Sequence, residues 1–323
     1  MKTGDRVTCA GGRHRTPWAK LSNNAADRPY RGARCPGACV RIVTRTAGPD
    51  LGYVEDRNLI LEFRLAHGDA TLLPRFAMEL GNIQVDVIVT DGGDAVRSAM
   101  AATKLIPILM GGGPGGDPVA LGIAASLARP GGNVTGTYPM QAELSAKPLE
   151  ILRPAFPQIS AVAMLLNTSN TASQANFRAS EEAARSLGPL TVARVDVDAP
   201  GALLALRPTV FAAVHAVVVL PDAMLWNHRR DILALVDAAR LPAIYPGREY
   251  VDDGGLMAYG TNVPDIYRRA ASYVDRILKG ANPGDLPIEQ PVRFDFVVNL
   301  KTAQKLGVTI PSTILDRADE LIE

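Results

Sequence analysis

Four aspartates (Asp91, Asp94, Asp117 and Asp222) and three histidines (His67, His215 and His228) are the side chains beyond residue 50 whose positions suggest chemistry. The histidines lack the companions that catalysis or zinc binding requires. No His-x3-His, His-Glu-x2-His or G-x-S-x-G accompanies them, so neither a zinc hydrolase nor a serine-elbow hydrolase is signalled. His215 falls inside an apolar run and reads as a core or sheet-surface residue. Gly111, Gly113 and Gly116 follow an apolar stretch in the spacing G-x-G-x-x-G. Pro114 removes one backbone donor from that loop, and no acid follows about 20 residues later to hold a ribose. The expectation is no catalytic residue, no metal and no cofactor.

The aspartates instead accompany small polar residues in five loops, each placed just after a strand-like run: 90–94, 111–117, 167–170, 221–222 and 246–248. In open parallel sheets, ligands bind beyond the carboxyl ends of strands. Backbone N–H groups and short polar side chains gathered there suit a small ligand. Any one of them is equally at home as a turn residue or a helix cap. Gly92, Gly93, Asp94, Asp117, Asn167, Thr168, Asn170 and Asp222 are therefore candidate polar contacts, with Asp94, Asp117 or Asp222 suited to a ligand ammonium group. Aromatic residues make up only 5% of the chain. That scarcity draws attention to Tyr138, Trp226, Tyr245 and Tyr259 near strand ends as apolar walls with polar tips; packing within the fold is their alternative role.

The elements that must position these loops alternate. Strands are predicted over 58–63, 85–90, 105–110, 133–136, 161–166, 191–195, 213–220 and 243–245, with helices over 72–80, 94–103, 119–128, 172–187, 202–206, 229–240 and 265–279. Short β-rich runs separated by helices imply βαβ units and parallel sheets. The alternation breaks around 137–158 and restarts, which gives two doubly wound lobes. Pro148, inside a predicted helix over 143–152, is expected to kink it.

Composition divides the chain differently. Residues 1–50 hold ten Lys or Arg against three acids, a net +7, and all three cysteines (Cys9, Cys35 and Cys39). The other 273 residues hold 24 basic against 30 acidic groups, a net −6. Gly11-Gly12, Pro17, Pro29, Gly32 and Pro36-Gly37 break any long helix in the basic segment, which disfavours a helix-turn-helix. Charges interrupt every candidate signal-peptide core. Cys35 and Cys39 with the remote Cys9 and His14 make one poor zinc pair. Residues 1–50 are expected to be irregular and poorly ordered. No apolar stretch approaches the 18 or so residues of a membrane span.

The segments Leu51-Gly52-Tyr53-Val54-Glu55-x-Arg57-Asn58, Gly116-Asp117-Pro118-Val119, Ala128-Arg129-Pro130-Gly131-Gly132-Asn133-Val134-Thr135-Gly136, Gly254-Gly255-Leu256-Met257-x-Tyr259-Gly260, Asp275-Arg276-Ile277-Leu278-Lys279-Gly280-Ala281 and Asn299-Leu300-Lys301-Thr302-Ala303 resemble the ABC-transporter substrate-binding proteins of the group that includes tryptophan/tyrosine-uptake binding proteins. The resemblance spans about residues 51–323. It implies an α/β fold of the type I periplasmic-binding-protein kind: two Rossmann-like lobes joined by three crossings, near 135–140, 259–262 and 285–291. The implied lobes are 51–136 plus 262–284, and 137–261 plus 285–323. The same resemblance implies a monomer that encloses a small-molecule ligand, such as an amino acid, and hands it to ABC transporter permease subunits in the periplasm, with no nucleic acid involved. Family members open with a strand and a helix before the Leu-Gly-Tyr-Val-Glu motif. Here Gly48-Pro49 would break such a helix and no strand of that kind is readable, so residues 1–50 are expected not to be the family's native beginning and the first lobe to lack a central strand. A ligand-sensing transcription regulator core and an enzyme on a two-lobed scaffold are the alternatives.

Overall fold

The computed structural model describes the backbone of residues 16–22 and, in full, residues 51–55, 57–66, 69–112, 116–138, 145–290 and 293–323. Cys9, His14, Cys35, Cys39, His67, Gly113 and Pro114 lie outside these residues. Two sheets form, and each grows from the alternation of apolar strands with amphipathic helices.

The first sheet contains β1 (Thr16–Ser22), β2 (Leu59–Leu65), β3 (Ile88–Asp91), β4 (Ile108–Met110) and β5 (Val134–Gly136), in the order β2-β1-β3-β4-β5 and wholly parallel. Ile88, Val89, Ile108, Leu109 and Met110 are at most 2% exposed, as expected of strands covered on both faces. Helices α1 (Leu73–Asn82) and α2 (Gly93–Ala102) cover one face; Leu73, Ala77 and Leu80 turn inward at helical spacing.

Strand β1 corrects the expectation that residues 1–50 are irregular and that the first lobe lacks a central strand. Thr16–Ser22 lies between β2 and β3 and pairs with both. Pro17, which breaks a long helix, is compatible with a strand here because it pairs only with β2; the ladder to β3 begins at Ala19. A proline is tolerated where a strand has one neighbour, because its missing N–H then breaks no second ladder.

The second sheet contains β6 (Ala161–Asn167), β7 (Thr191–Val197), β8 (Ala216–Val219), β9 (Ala243–Tyr245), β10 (Met257–Thr261), β11 (Phe294–Asn299) and β12 (Glu320–Ile322), in the order β12-β11-β10-β9-β8-β6-β7. Only the β10–β11 pair is antiparallel. Around this sheet pack α3 (Lys147–Ala155), α4 (Thr171–Ser186), α5 (Pro200–Ala205), α6 (Ala223–Asn227), α7 (Arg229–Ala239) and α8 (Arg248–Asp252). Helix α9 (Val263–Leu278) returns to the first sheet, where Tyr267, Ala270, Ala271, Val274 and Ile277 join Val87, Val89 and Leu109 in one core. Helices α10 (Leu300–Leu306) and α11 (Ser312–Leu315) lead into β12.

The chain passes between the sheets three times: after β5, between β10 and α9, and before β11. The first and third passages run side by side. Tyr138 N–H donates to Glu289 O (2.8 Å) and Glu289 N–H to Gly136 O (2.9 Å).

Three local expectations are corrected. Residues 119–128 form turns rather than a helix: Gly122 takes a left-handed φ of 67°, and the Ala125 N–H donates forward to Pro130 O (2.9 Å) instead of closing a helical turn. Pro148 starts α3 rather than kinking it, because at the first turn its absent N–H has no intrahelical acceptor to lose. His215 sits just ahead of β8 and is exposed, accepting from Ser160 N–H at 3.2 Å.

Candidate functional site

The carboxyl ends of β8, β9 and β10 line a small cleft of about 70 Å³ that opens to solvent. Val219 ends β8 and is followed by Leu220 and Pro221, and Tyr245 ends β9 and is followed by Pro246. Tyr259, Gly260 and Thr261 come from β10, while Ser145 and Pro148 close the side nearest the crossing. None of these lining residues is charged. The cleft therefore accepts an apolar or neutral group, and its hydroxyl-bearing lining residues are Ser145, Tyr245, Tyr259 and Thr261.

Rings built into the sheet hold its walls. Tyr245 stacks on Tyr250 with centroids 4.9 Å apart and planes at 13°, and Trp226 meets Tyr250 edge-on at 5.8 Å and 88°. Tyr259 stacks on Phe294 at 6.0 Å. Burial pushes the phenols of Tyr245 and Tyr250 up from their ordinary value, and Asp222 adds to the effect at Tyr250. Tyr250 Oη and Trp226 Nε1 are buried without a hydrogen-bond partner, so these rings contribute packing rather than hydrogen bonding. Gly260 permits the close approach of β10 to the β9 loop: a Cβ there would lie 1.9 Å from Pro246 O.

Beside the cleft stands a polar cluster at the ends of β6 and β8. Asp222 caps α6, its Oδ1 accepting from Leu225 N–H at 3.0 Å. Its Oδ2 accepts from Asn167 Nδ2 (3.1 Å) and Asn170 Nδ2 (2.8 Å). Each asparagine is oriented by its own oxygen, which accepts from Ser169 N–H and Ala172 N–H respectively, both at 3.0 Å. Thr168 closes the group by donating from N–H and Oγ1 to Val197 O.

The structure thus brings Tyr245 and Tyr259 into one cleft, gathers Asn167, Thr168, Asn170 and Asp222 into one cluster next to it, and places Trp226 behind the wall. None of the first-sheet candidates is among the residues that line this cleft. Gly92, with φ 87°, and Gly93 form the turn into α2, and Asp94 pairs with Arg97 of that helix at 2.5 Å. Asp117 caps its own turn through Val119 N–H at 2.8 Å. Tyr138 lies half-buried in the first crossing. Among the described residues, no group of three or more His, Cys, Asp or Glu could hold a metal ion.

Sequence reasoning missed Ser145, Thr261 and Glu249. Ser145 lies in a segment with no turn or strand-end signal, whereas Thr261 ends β10 within the crossing expected near 259–262. Glu249 sits on α8 beside Gly247, and burial raises its carboxyl above the ordinary value, opposed by its own backbone N–H. A raised folded-state value means that folding favours the protonated form, so ionisation costs stability as pH rises through it. Glu249→Gln is expected to melt higher than the parent at pH 8, with the gap closing as pH falls below about 4 and the carboxyl becomes protonated in the unfolded state as well. Melting curves across that range check the sign.

Comparison with known proteins agrees with this architecture. The family model described as ABC transporter substrate binding protein matches residues 45–322. A "Tyrosine-binding protein" of Clostridioides difficile is 23% identical over 260 residues, covering 80% of this chain and 74% of that protein. Among solved structures, a Streptococcus pneumoniae ABC domain in complex with L-Trp superposes with a TM-score of 0.83 at 22% identity, covering 95% of this chain and 100% of that one. A conserved domain protein of Vibrio cholerae gives 0.83 at 20% identity, covering 96% and 100%. With its matched segment spanning both sheets, the chain belongs to the ABC transporter substrate-binding proteins.

Proposed function

We propose that this protein is the solute-binding component of an ABC importer, working as a monomer in the periplasm, where it encloses a small amino acid-like ligand and presents it to permease subunits. The observation that carries the reading is the uncharged cleft walled by Tyr245 and Tyr259 at the strand ends beside the crossings. Such a wall takes an apolar or aromatic side chain. The charged ends of the ligand fall to the rims, with Asn167, Thr168, Asn170 and Asp222 on one side and Gly92, Gly93, Asp94 and Asp117 on the other. Three of the roughly four acceptor positions of the Asp222 carboxylate are used internally, which leaves one for a ligand ammonium. Tyr138 and Trp226 complete the proposed surroundings. The relatives whose names mention tyrosine and L-Trp make aromatic amino acids the first ligands to try.

A thermal-shift screen of the L-amino acids and of neutral aromatic solutes tests this. A ligand at 100 times its Kd stabilises by about 2.7 kcal/mol, a rise of several degrees in a protein of this size. Tyr259→Ala should weaken the same ligand. A flat response across the screen, in protein with a cooperative melt, would overturn the proposal.

A further inference from the structure

Glu289 occupies the last described stretch of the third crossing before β11; it bonds directly to the first crossing and is linked to the second through Arg269 and Asp265 of α9. Its N–H donates to Gly136 O and its carbonyl accepts from Tyr138 N–H, both on the first crossing. Its carboxylate accepts from Arg269 of α9 at 3.1 Å. Arg269 in turn donates to Asp265 at 3.0 Å. Asp265 lies in the first turn of α9, directly after the second crossing at Asn262, whose Oδ1 accepts from the Asp265 N–H at 2.8 Å.

The surrounding chain is fastened to the first lobe up to this point. Ile288 is 4% exposed in the first-sheet core and its N–H donates to Leu127 O at 2.7 Å. Thr135 Oγ1 donates to Leu286 O at 2.7 Å, and Tyr273 Oη donates to Pro287 O at 2.5 Å. Beyond Glu289 the chain joins the second sheet at β11, where Asp295 accepts from Asn262 Nδ2 at 2.8 Å. The charged triad therefore sits where anchored chain gives way to the segment that must bend when lobes move.

We infer that Asp265, Arg269 and Glu289 form the fulcrum of the hinge and set the balance between open and closed lobes, so that they tune ligand affinity without touching ligand. This rests on the reading that the lobes close on a solute. Arg269 and Glu289 are 35% and 39% exposed at their side chains, so their attraction is modest and weakened by salt. A bias of that size acts through the competent fraction of the protein.

The test compares the full-length protein with Glu289→Gln and, separately, Arg269→Gln. Small-angle X-ray scattering without ligand is expected to show a shifted radius of gyration in both variants, while their melts stay cooperative. With whichever amino acid the parent binds, Kd should change about threefold, and the parent's change of affinity between low and high sodium chloride should flatten in the variants. Unchanged scattering in the variants overturns the hinge role whether or not a ligand has been found, so its failure is separable from that of the binding proposal. Altered scattering with unchanged Kd and salt dependence would overturn the link to affinity.

Discussion

A chain shortened to begin at Leu51 is expected to lose the cooperative fold of its first lobe, although nearly all of the family-matched segment, 45–322, is retained. Strand β1 pairs with β2 along all seven of its residues, from Thr16–Leu59 to Ser22–Leu65, and with β3 from Ala19–Ile88 to Ser22–Asp91. Without it, β2 has no neighbour in the sheet and β3 becomes an edge. An unpaired backbone N–H or C=O that stays buried costs on the order of 1–3 kcal/mol, and newly bared edges invite association. The damage reaches α9 too, since Leu59 on β2 shares the core that holds Tyr267 and Val274. Urea unfolding should show a smaller m-value, as expected when less surface is buried, with limited proteolysis confined to the first lobe while the seven-stranded sheet survives. Leu21→Pro in the full chain is the finer probe, because it removes a ladder donor where β1 has neighbours on both sides, at a cost of about 1–3 kcal/mol for the acceptor left unpaired. Parent-like m-values and melting in both proteins would show that Thr16–Ser22 is dispensable to the sheet.

That strand also marks the limit of what the amino-acid pattern conveys. Buried parallel strands announce themselves as apolar runs, and 161–166 and 243–245 were legible on that basis alone. Thr16–Ser22 contains Pro17 and Lys20 within a segment crowded with glycine, proline and arginine, so its strand character comes from two neighbours rather than from local propensity. The turns at 119–128 show the converse: residues of adequate helical propensity are overridden by Gly122 and the bond from Ala125 to Pro130. At the site, loops 167–170, 221–222 and 246–248 were legible because turn chemistry follows each strand. Which side chains would converge was not. Tyr245 and Tyr259 reach the same cleft because β9 pairs with β10, Tyr245 opposite Ala258, a juxtaposition of separate segments that no local pattern encodes. Asp94 and Asp117 carry the same composition signal as Asp222, yet each is engaged with its own turn or helix.

Replacing Asp222 by Ala is expected to destabilise the second lobe by roughly 2–4 kcal/mol, through two separable losses. Removing an N-cap costs about 1 kcal/mol, and here α6 loses its bond to Leu225 N–H. Leaving polar hydrogens without an acceptor adds on the order of 1–3 kcal/mol, and Asn167, 8% exposed, has little access to water as a substitute. Asp222→Asn separates the two, since asparagine caps a helix about as well as aspartate. Its oxygen can serve Leu225, but its NH2 must then face the amide donors of Asn167 and Asn170. Neither asparagine can flip to relieve the conflict, because the oxygen of each is already engaged by Ser169 N–H or Ala172 N–H. Asp222→Asn is therefore expected to be destabilised nearly as much as Asp222→Ala, and to weaken ligand by roughly tenfold, equivalent to about 1.4 kcal/mol, as the rim beside Pro221 rearranges. Urea unfolding and isothermal calorimetry on both variants provide the measurement. If Asp222→Asn matched the parent in stability, the carboxylate would be acting as a cap alone, and the two asparagines would have to be held by something other than its charge.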